Sequence, residues 1–146
     1  MDHVCANSVA KAPGRTSYTQ LLNTRGGIRA DPTVARLAKT VSISSPGPVS
    51  RTHDLAWIAD HLPAAVTIRD VTEDWEGTLS LMGPKAREVL AKVTDADVTN
   101  AAFPFSLRRE ISITGAAVRA LRITYVGELG WELHVPWPRP AGSLTR

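Results

Sequence analysis

Arg119-Ala-Leu-Arg-Ile-Thr-Tyr-Val-Gly-Glu-Leu-Gly-Trp-Glu-Leu-His-Val135 is the stretch on which the reading of the fold turns. Leu121, Ile123 and Tyr125 share one parity, and Trp131, Leu133 and Val135 share one after a loop holding Gly127 and Gly130. Such alternation marks half-buried strands, so the stretch predicts a two-stranded antiparallel ribbon. Setting apolar against apolar pairs Tyr125 with Trp131, Ile123 with Leu133 and Leu121 with Val135. Thr124 then faces Glu132 on the other side. A carboxylate held in register beside a glycine-containing loop can bind a ligand. It can equally be an ordinary surface Glu, and the ribbon alone leaves both readings open.

Working back from the ribbon, a Gly115-Ala-Ala turn follows an alternating strand at 107–114, with Arg109, Ile111 and Ile113 on one parity. Gly83-Pro84 starts a helix, proline being tolerated in a first turn, with Val89, Leu90 and Val93 as its apolar face. Strands are expected at 77–82 and 65–71. A helix at 53–62 takes Thr52 as N-cap and ends at Pro63. Near the start, a weak helical segment of a dozen residues leads to Pro13-Gly14. A strand at 15–22, turn chemistry in Asn23-Thr-Arg-Gly-Gly27 and a returning strand at 28–37 follow. Pro32 interrupts that strand, because proline cannot donate to a ladder. A short strand at 41–44 precedes a Ser45-Pro-Gly-Pro48 loop. Hairpins joining most strands, with two helices in crossover positions, predict an α+β fold with a mainly antiparallel sheet. Residues 1–135 read as one domain, and the proline-rich 136–146 as an unpatterned tail.

With 146 residues, 43% hydrophobic and 21% charged, the chain has the composition of a globular domain. A net charge of +3 is a small excess spread from Arg15 to Arg146, with no basic run or aromatic platform, so nucleic-acid binding is not expected. Cys5 is the only cysteine, which excludes an intrachain disulfide and a cysteine-based zinc site. Neither a cleaved leader nor a membrane span of ~18 apolar residues is expected.

The sequence holds no phosphate loop, dinucleotide fingerprint or Gly-x-Ser-x-Gly elbow. His3, His53, His61 and His134 include no pair at metal-binding helical spacing, and are expected to be solvent or packing residues. Asp31 follows the Gly26-Gly27 turn and precedes Pro32, which holds it extended. It is either an acid aimed into a cleft or a turn starter. Glu132 stays open in the same way. Trp57, Trp75 and Trp131 read as core or sheet-face aromatics.

Tyr18-Thr-Gln-Leu-Leu-Asn23, Arg25-Gly-Gly-Ile28 and Asp31 resemble the folate-binding domain of the glycine-cleavage aminomethyltransferase family. His53-Asp-Leu-Ala-Trp-Ile58, Arg69-Asp-Val71, Leu81-Met-Gly-Pro-Lys-Ala-Arg87, Asn100-Ala-Ala-Phe-Pro-Phe105 and Tyr125-Val-Gly-Glu-Leu-Gly-Trp-Glu-Leu133 narrow the resemblance. Together they are similar to the C-terminal half of the FAD-dependent sarcosine and dimethylglycine dehydrogenases. The likeness implies a domain that takes a one-carbon unit from an iminium, formed when a flavin domain oxidises an N-methyl amine, and gives it to tetrahydrofolate. Position by position, it implies that Asp31 is the acid beside the folate nitrogens, that Glu132 holds the pterin, and that Tyr125 lines the same site. The predicted register sets Tyr125 and Glu132 on opposite faces, so the two meet one ligand only if the loop turns Tyr125 at the strand end.

FAD belongs to the family's other domain, whose fingerprint this sequence lacks, so oxidation by this chain is not expected. Motifs that precede and follow the matched region in the family, including an arginine that grips folate, are not found. Pro32 also replaces the usual aliphatic residue. The reading is therefore a partial tetrahydrofolate-binding domain with binding weakened or lost. Alternatives are an inactive structural fragment and a docking subunit for a separate flavoprotein. The expected compartment is the bacterial cytoplasm or, in a eukaryote, the mitochondrial matrix.

Overall fold

A computed structural model describes residues 1–45, 51–71 and 77–136, with the backbone alone at 44 and 45. They fall into two compact units: residues 1–70 with 106–108, and residues 71–105 with 109–146. Five strand pairings among the described residues are antiparallel, and with two α-helices this is an α+β fold.

In the first unit a 3-10 turn (Asp2–Val4) leads through β1 (Thr16–Tyr18), β2 (Leu21–Leu22), β3 (Ile28–Ala30), β4 (Thr33–Ala38) and β5 (Val41–Ser45) to α1 (Arg51–His61). The sheet order is β1-β4-β5, and β2 and β3 form a separate pair. The predicted N-terminal helix is reduced to that one turn. The Asp2 carboxylate instead accepts from the Val9 and Ala10 amides and the Ser8 hydroxyl, and these bonds, led by Val9, hold its pKa below the usual range. The single strand expected at 15–22 is broken at Thr19 and Gln20, sending β1 and β2 to different partners. The break forms where the Thr19 amide donates to the Pro32 carbonyl at 3.1 Å. Opposite it, Asp31-Pro32 separates β3 from β4, as a proline without an N–H requires. Thr19, Leu21, Pro32 and Val34 are fully buried and form the core here.

The turn at 23–27 is built by Asn23, whose Oδ1 accepts from the Arg25 and Gly27 amides, both at 2.9 Å. Gly26 takes φ +79°. Thr52 is not the cap of α1 but lies within it, since the helix already begins at Arg51. Ile58 and Asp54 are its buried residues. The strand expected at 65–71 does not form: residues 64 and 65 make a turn, 66–71 are irregular among the described residues, and Val66 is exposed. Of the 45–48 loop, positions 46–48 lie outside the described residues, as does 137–146 of the tail.

The second unit carries β6 (Gly77–Met82), α2 (Ala86–Leu90), β7 (Arg108–Ile113, its first residue belonging to the first unit), β8 (Ala116–Leu121) and β9 (Gly130–Val135). The sheet order is β6-β9-β8-β7. Thr114 and Gly115 at φ 49° and 87° make the positive-φ pair that a two-residue hairpin turn from β7 to β8 demands. Only five residues of the helix expected after Pro84 are α-helical, and Ala86 and Leu90 are its buried face. Val89 and Val93 are exposed, so the predicted face is rotated.

Val118 and Ala120 of β8 and Trp131 and Leu133 of β9 are buried on one side of the sheet. Trp131 meets Phe103 edge-on, with ring centroids 6.1 Å apart. Three arginines clamp the irregular 97–103 segment around these rings. Arg87 donates to the Val98 carbonyl and Asn100 Oδ1, Arg109 to the Ala102 carbonyl, and Arg122 to the Phe103 carbonyl at 2.6 Å. Their guanidinium carbons lie 5.2 to 5.9 Å from the Trp131 or Phe103 ring. Among the described residues no helix is long and apolar enough to cross a membrane.

Candidate functional site

The observed register corrects the predicted ribbon. Leu121 lies opposite Glu132, Ala120 opposite Leu133 and Arg119 opposite His134. The pairing is shifted by three residues from the apolar-on-apolar expectation. An odd shift moves every side chain to the other face. β8 ends at Leu121 because the Ile123 amide turns back onto the Leu121 carbonyl at 3.0 Å and Arg122 leaves to bond Phe103. The intervening loop therefore spans 122–129 and contains Ile123, Thr124 and Tyr125.

Cross-strand partners share a face, so Glu132 lies between Ser80 of β6 and Leu121 of β8. His134, one step along, lies between Thr78 and Arg119. Met82 stands opposite Gly130 on that same face. The Glu132 side chain is 22% exposed, and burial raises its pKa above the usual carboxylate value. His134 Nε2 lies 3.9 Å from Glu132 Oε2, too far for a hydrogen bond and near enough for attraction when the ring is protonated. Thr78 Oγ1 and His134 Nδ1 are 3.4 Å apart. Ser80, Thr78, Met82, Arg119 and His134 are thus the neighbours of Glu132 that the sequence reading did not identify. Only the true register reveals them.

Tyr125 is 92% exposed, and its phenol makes no hydrogen bond among the described residues. Its amide donates to Met82 Sδ at 3.4 Å, which ties its backbone to the rung beside Glu132. Tyr125 and Glu132 therefore belong to one neighbourhood through Met82. Asp31 belongs to the first unit, exposed beside buried Pro32. Its Oδ2 accepts from the Tyr18 hydroxyl at 3.0 Å. Tyr18 is a further residue not singled out from sequence chemistry, although it opens the first matched motif.

The first unit also holds a cavity of about 190 Å³ lined by His3, Val4, Leu22, Asn23, Thr24, Trp57 and His61. Trp57 stacks on His61 with centroids 4.1 Å apart, and the Arg29 guanidinium sits 4.7 Å from the Trp57 ring. Trp131 is a core residue as expected, Trp57 is partly exposed, and Trp75 lies outside the described residues. No group of three or more metal-ligating side chains occurs among the described residues.

Compared with known families, residues 1–142 match the GCVT N-terminal domain. The chain belongs to that family. It is 39% identical over 151 aligned positions to mitochondrial sarcosine dehydrogenase of Homo sapiens, covering 92% of this chain and 16% of the relative. It is 37% identical to mitochondrial dimethylglycine dehydrogenase of Rattus norvegicus, with the same coverage. To the aminomethyltransferase of Geobacillus kaustophilus it is 30% identical, over 92% of this chain and 36% of the relative. This GCVT-type chain therefore spans about a sixth of the length of the dehydrogenases it matches. The resemblance drawn from motifs is the family shown by comparison, and the mainly antiparallel α+β fold agrees with it.

Proposed function

We propose that this chain supplies a wall of a reduced-folate site, with Glu132 receiving the pterin ring. The observation that carries the reading is Glu132 itself: a carboxylate mostly removed from water, fixed at mid-strand, in a chain of the GCVT family. Burial has cost that carboxylate part of its hydration. A pterin presents an N3–H beside its 2-amino group, and a carboxylate can accept both in a bidentate pair. Such a pair would compensate the lost hydration, so the residues present fit the group. Tyr125, exposed on the loop anchored to the same face, would supply an aromatic ring against the heterocycle.

Asp31, in the first unit, is proposed on its own account as an acid for the one-carbon transfer. Held by the Tyr18 hydroxyl, it would guide a proton and stabilise developing positive charge. Reduced folate, when bound, carries the one-carbon unit. The donor in this reading is an iminium derived from an N-methyl amine of the sarcosine or dimethylglycine class. The names of the relatives support it. Oxidation of that amine falls to a flavin held outside this chain, on another domain or subunit, in the mitochondrial matrix or the bacterial cytoplasm.

The test is a thermal-shift titration with folinic acid, a stable reduced folate. A ligand at about 100 times its Kd adds about 2.7 kcal/mol of stability, so a rise of several degrees in Tm is expected. Glu132→Gln should abolish the ligand-induced rise, measured against its own ligand-free Tm. No rise in the unsubstituted chain at millimolar folinic acid overturns folate binding. An equal rise in Glu132→Gln removes Glu132 from the pterin role.

A further inference from the structure

The loop at 122–129 is fastened at two points, to Met82 at the end of β6 and to Gly83 just after it. The Tyr125 amide donates to Met82 Sδ at 3.4 Å, and the Gly83 amide donates to the Leu129 carbonyl at 2.8 Å. Beneath the first fastening is Gly130. A Cβ there would lie 2.8 Å from Met82 Cγ, 3.2 Å from the Ile123 carbonyl oxygen and 3.3 Å from the Leu81 carbonyl oxygen. Met82 thus fills the space that a side chain at 130 would take, on the sheet face that carries Glu132. Its unbranched thioether both fills an irregular gap and offers a weak acceptor.

We propose that Met82 is a positioning residue of this site: seated over Gly130, its sulfur accepts the Tyr125 amide and sets the 122–129 loop beside Glu132. The assignment to a ligand site rests on the folate reading above; the latch itself does not. A residue acting only by filling volume would be replaced by leucine without loss, whereas a residue acting through its acceptor would not.

The experiment uses the whole chain with Met82→Leu, which keeps the volume and removes the acceptor, and Met82→Gln, which puts an amide oxygen near the same place. Amide hydrogen exchange read by NMR is expected to speed up about threefold to tenfold at Tyr125 in Met82→Leu, the range set by the loss of one modest hydrogen bond. Exchange at Leu133 should stay unchanged. Folinic acid should bind more weakly by a similar factor, and Met82→Gln should restore both. Equal Tyr125 exchange in the unsubstituted chain and Met82→Leu overturns the latch. Faster exchange with unchanged folinic acid affinity overturns the positioning role. If the unsubstituted chain binds no folinic acid, the folate reading fails and the positioning role with it, while Tyr125 exchange still decides the latch.

Discussion

Glu132 has a charge that the fold disfavours. Burial raises its folded-state pKa above the ordinary value of 4.5. Between those two pH values the native state holds more protons than the unfolded one, so stability falls as pH rises through that window. The cost is complete above the folded pKa and absent below the unfolded value. Glu132→Gln should therefore be more stable than the unsubstituted chain at pH 7, and the two should converge as the pH drops below 4.5. Urea midpoints measured across that range check it. A variant no more stable at pH 7 would mean that the carboxylate is already compensated within the protein. Such a cost at a mid-strand position is the kind of local conflict expected where a residue is kept for binding rather than for folding. Asp31 differs: it is exposed, and its environment is legible as Asp-Pro at a strand break. What the sequence could not supply was the Tyr18 hydroxyl that orients it, because that bond depends on β1 returning beside β4.

At the scale of elements, alternation located β7 and β9 closely, because a half-buried strand writes its period of two into the sequence. Register was another matter. Pairing apolar with apolar assumed that 121–125 stays in the ladder, and nothing local marks Leu121 as its end. The end is set by Arg122 reaching the Phe103 carbonyl, a residue far back in the chain. Gly130, by contrast, carries a readable message once its surroundings are known. Gly130→Ala would press a methyl group onto Met82 and two backbone carbonyls, and overpacking of this kind costs about 1–3 kcal/mol. Denaturant midpoints should fall accordingly. Met82→Ala combined with Gly130→Ala should recover part of the loss, since the double variant vacates the space that the new Cβ needs. Purely additive losses would show that the backbone carbonyls, not Met82, set the constraint. Arg122→Met offers the complementary check on the clamp. Losing a charged hydrogen-bond donor to the carbonyl of buried Phe103 should cost about 1.5–3 kcal/mol, with faster amide exchange in 97–103.

On the scale of the whole molecule, family membership was legible because separated motifs keep one order, while the division into two units was not. Each unit is built around its own core: Leu21, Val34 and Pro32 in one, Trp131, Phe103 and Leu90 in the other. Hydrophobic pattern reports that a residue is buried, never with which others, and the crossing of 106–108 into the first unit has no local signature. Thr16 and Ser106 show why: the Thr16 amide donates to the Ser106 carbonyl at 2.9 Å and the Ser106 hydroxyl to the Thr16 carbonyl at 2.5 Å, across 90 residues of chain. Two cores make a sharp expectation possible. Leu21→Ala should cost about 2–5 kcal/mol and Trp131→Ala about 3–5 kcal/mol, large against the 5–15 kcal/mol that holds a domain. If each core supports its own unit, exchange mass spectrometry will show Leu21→Ala losing protection first in 16–38, and Trp131→Ala first in 77–82 and 116–135. Uniform loss across the chain with either variant would mean that the two cores melt as one. The Tyr125 latch then follows the same division. A Leu21→Ala chain that keeps its second unit should still show the Tyr125 latch, because Met82, Gly130 and Tyr125 all belong to that unit.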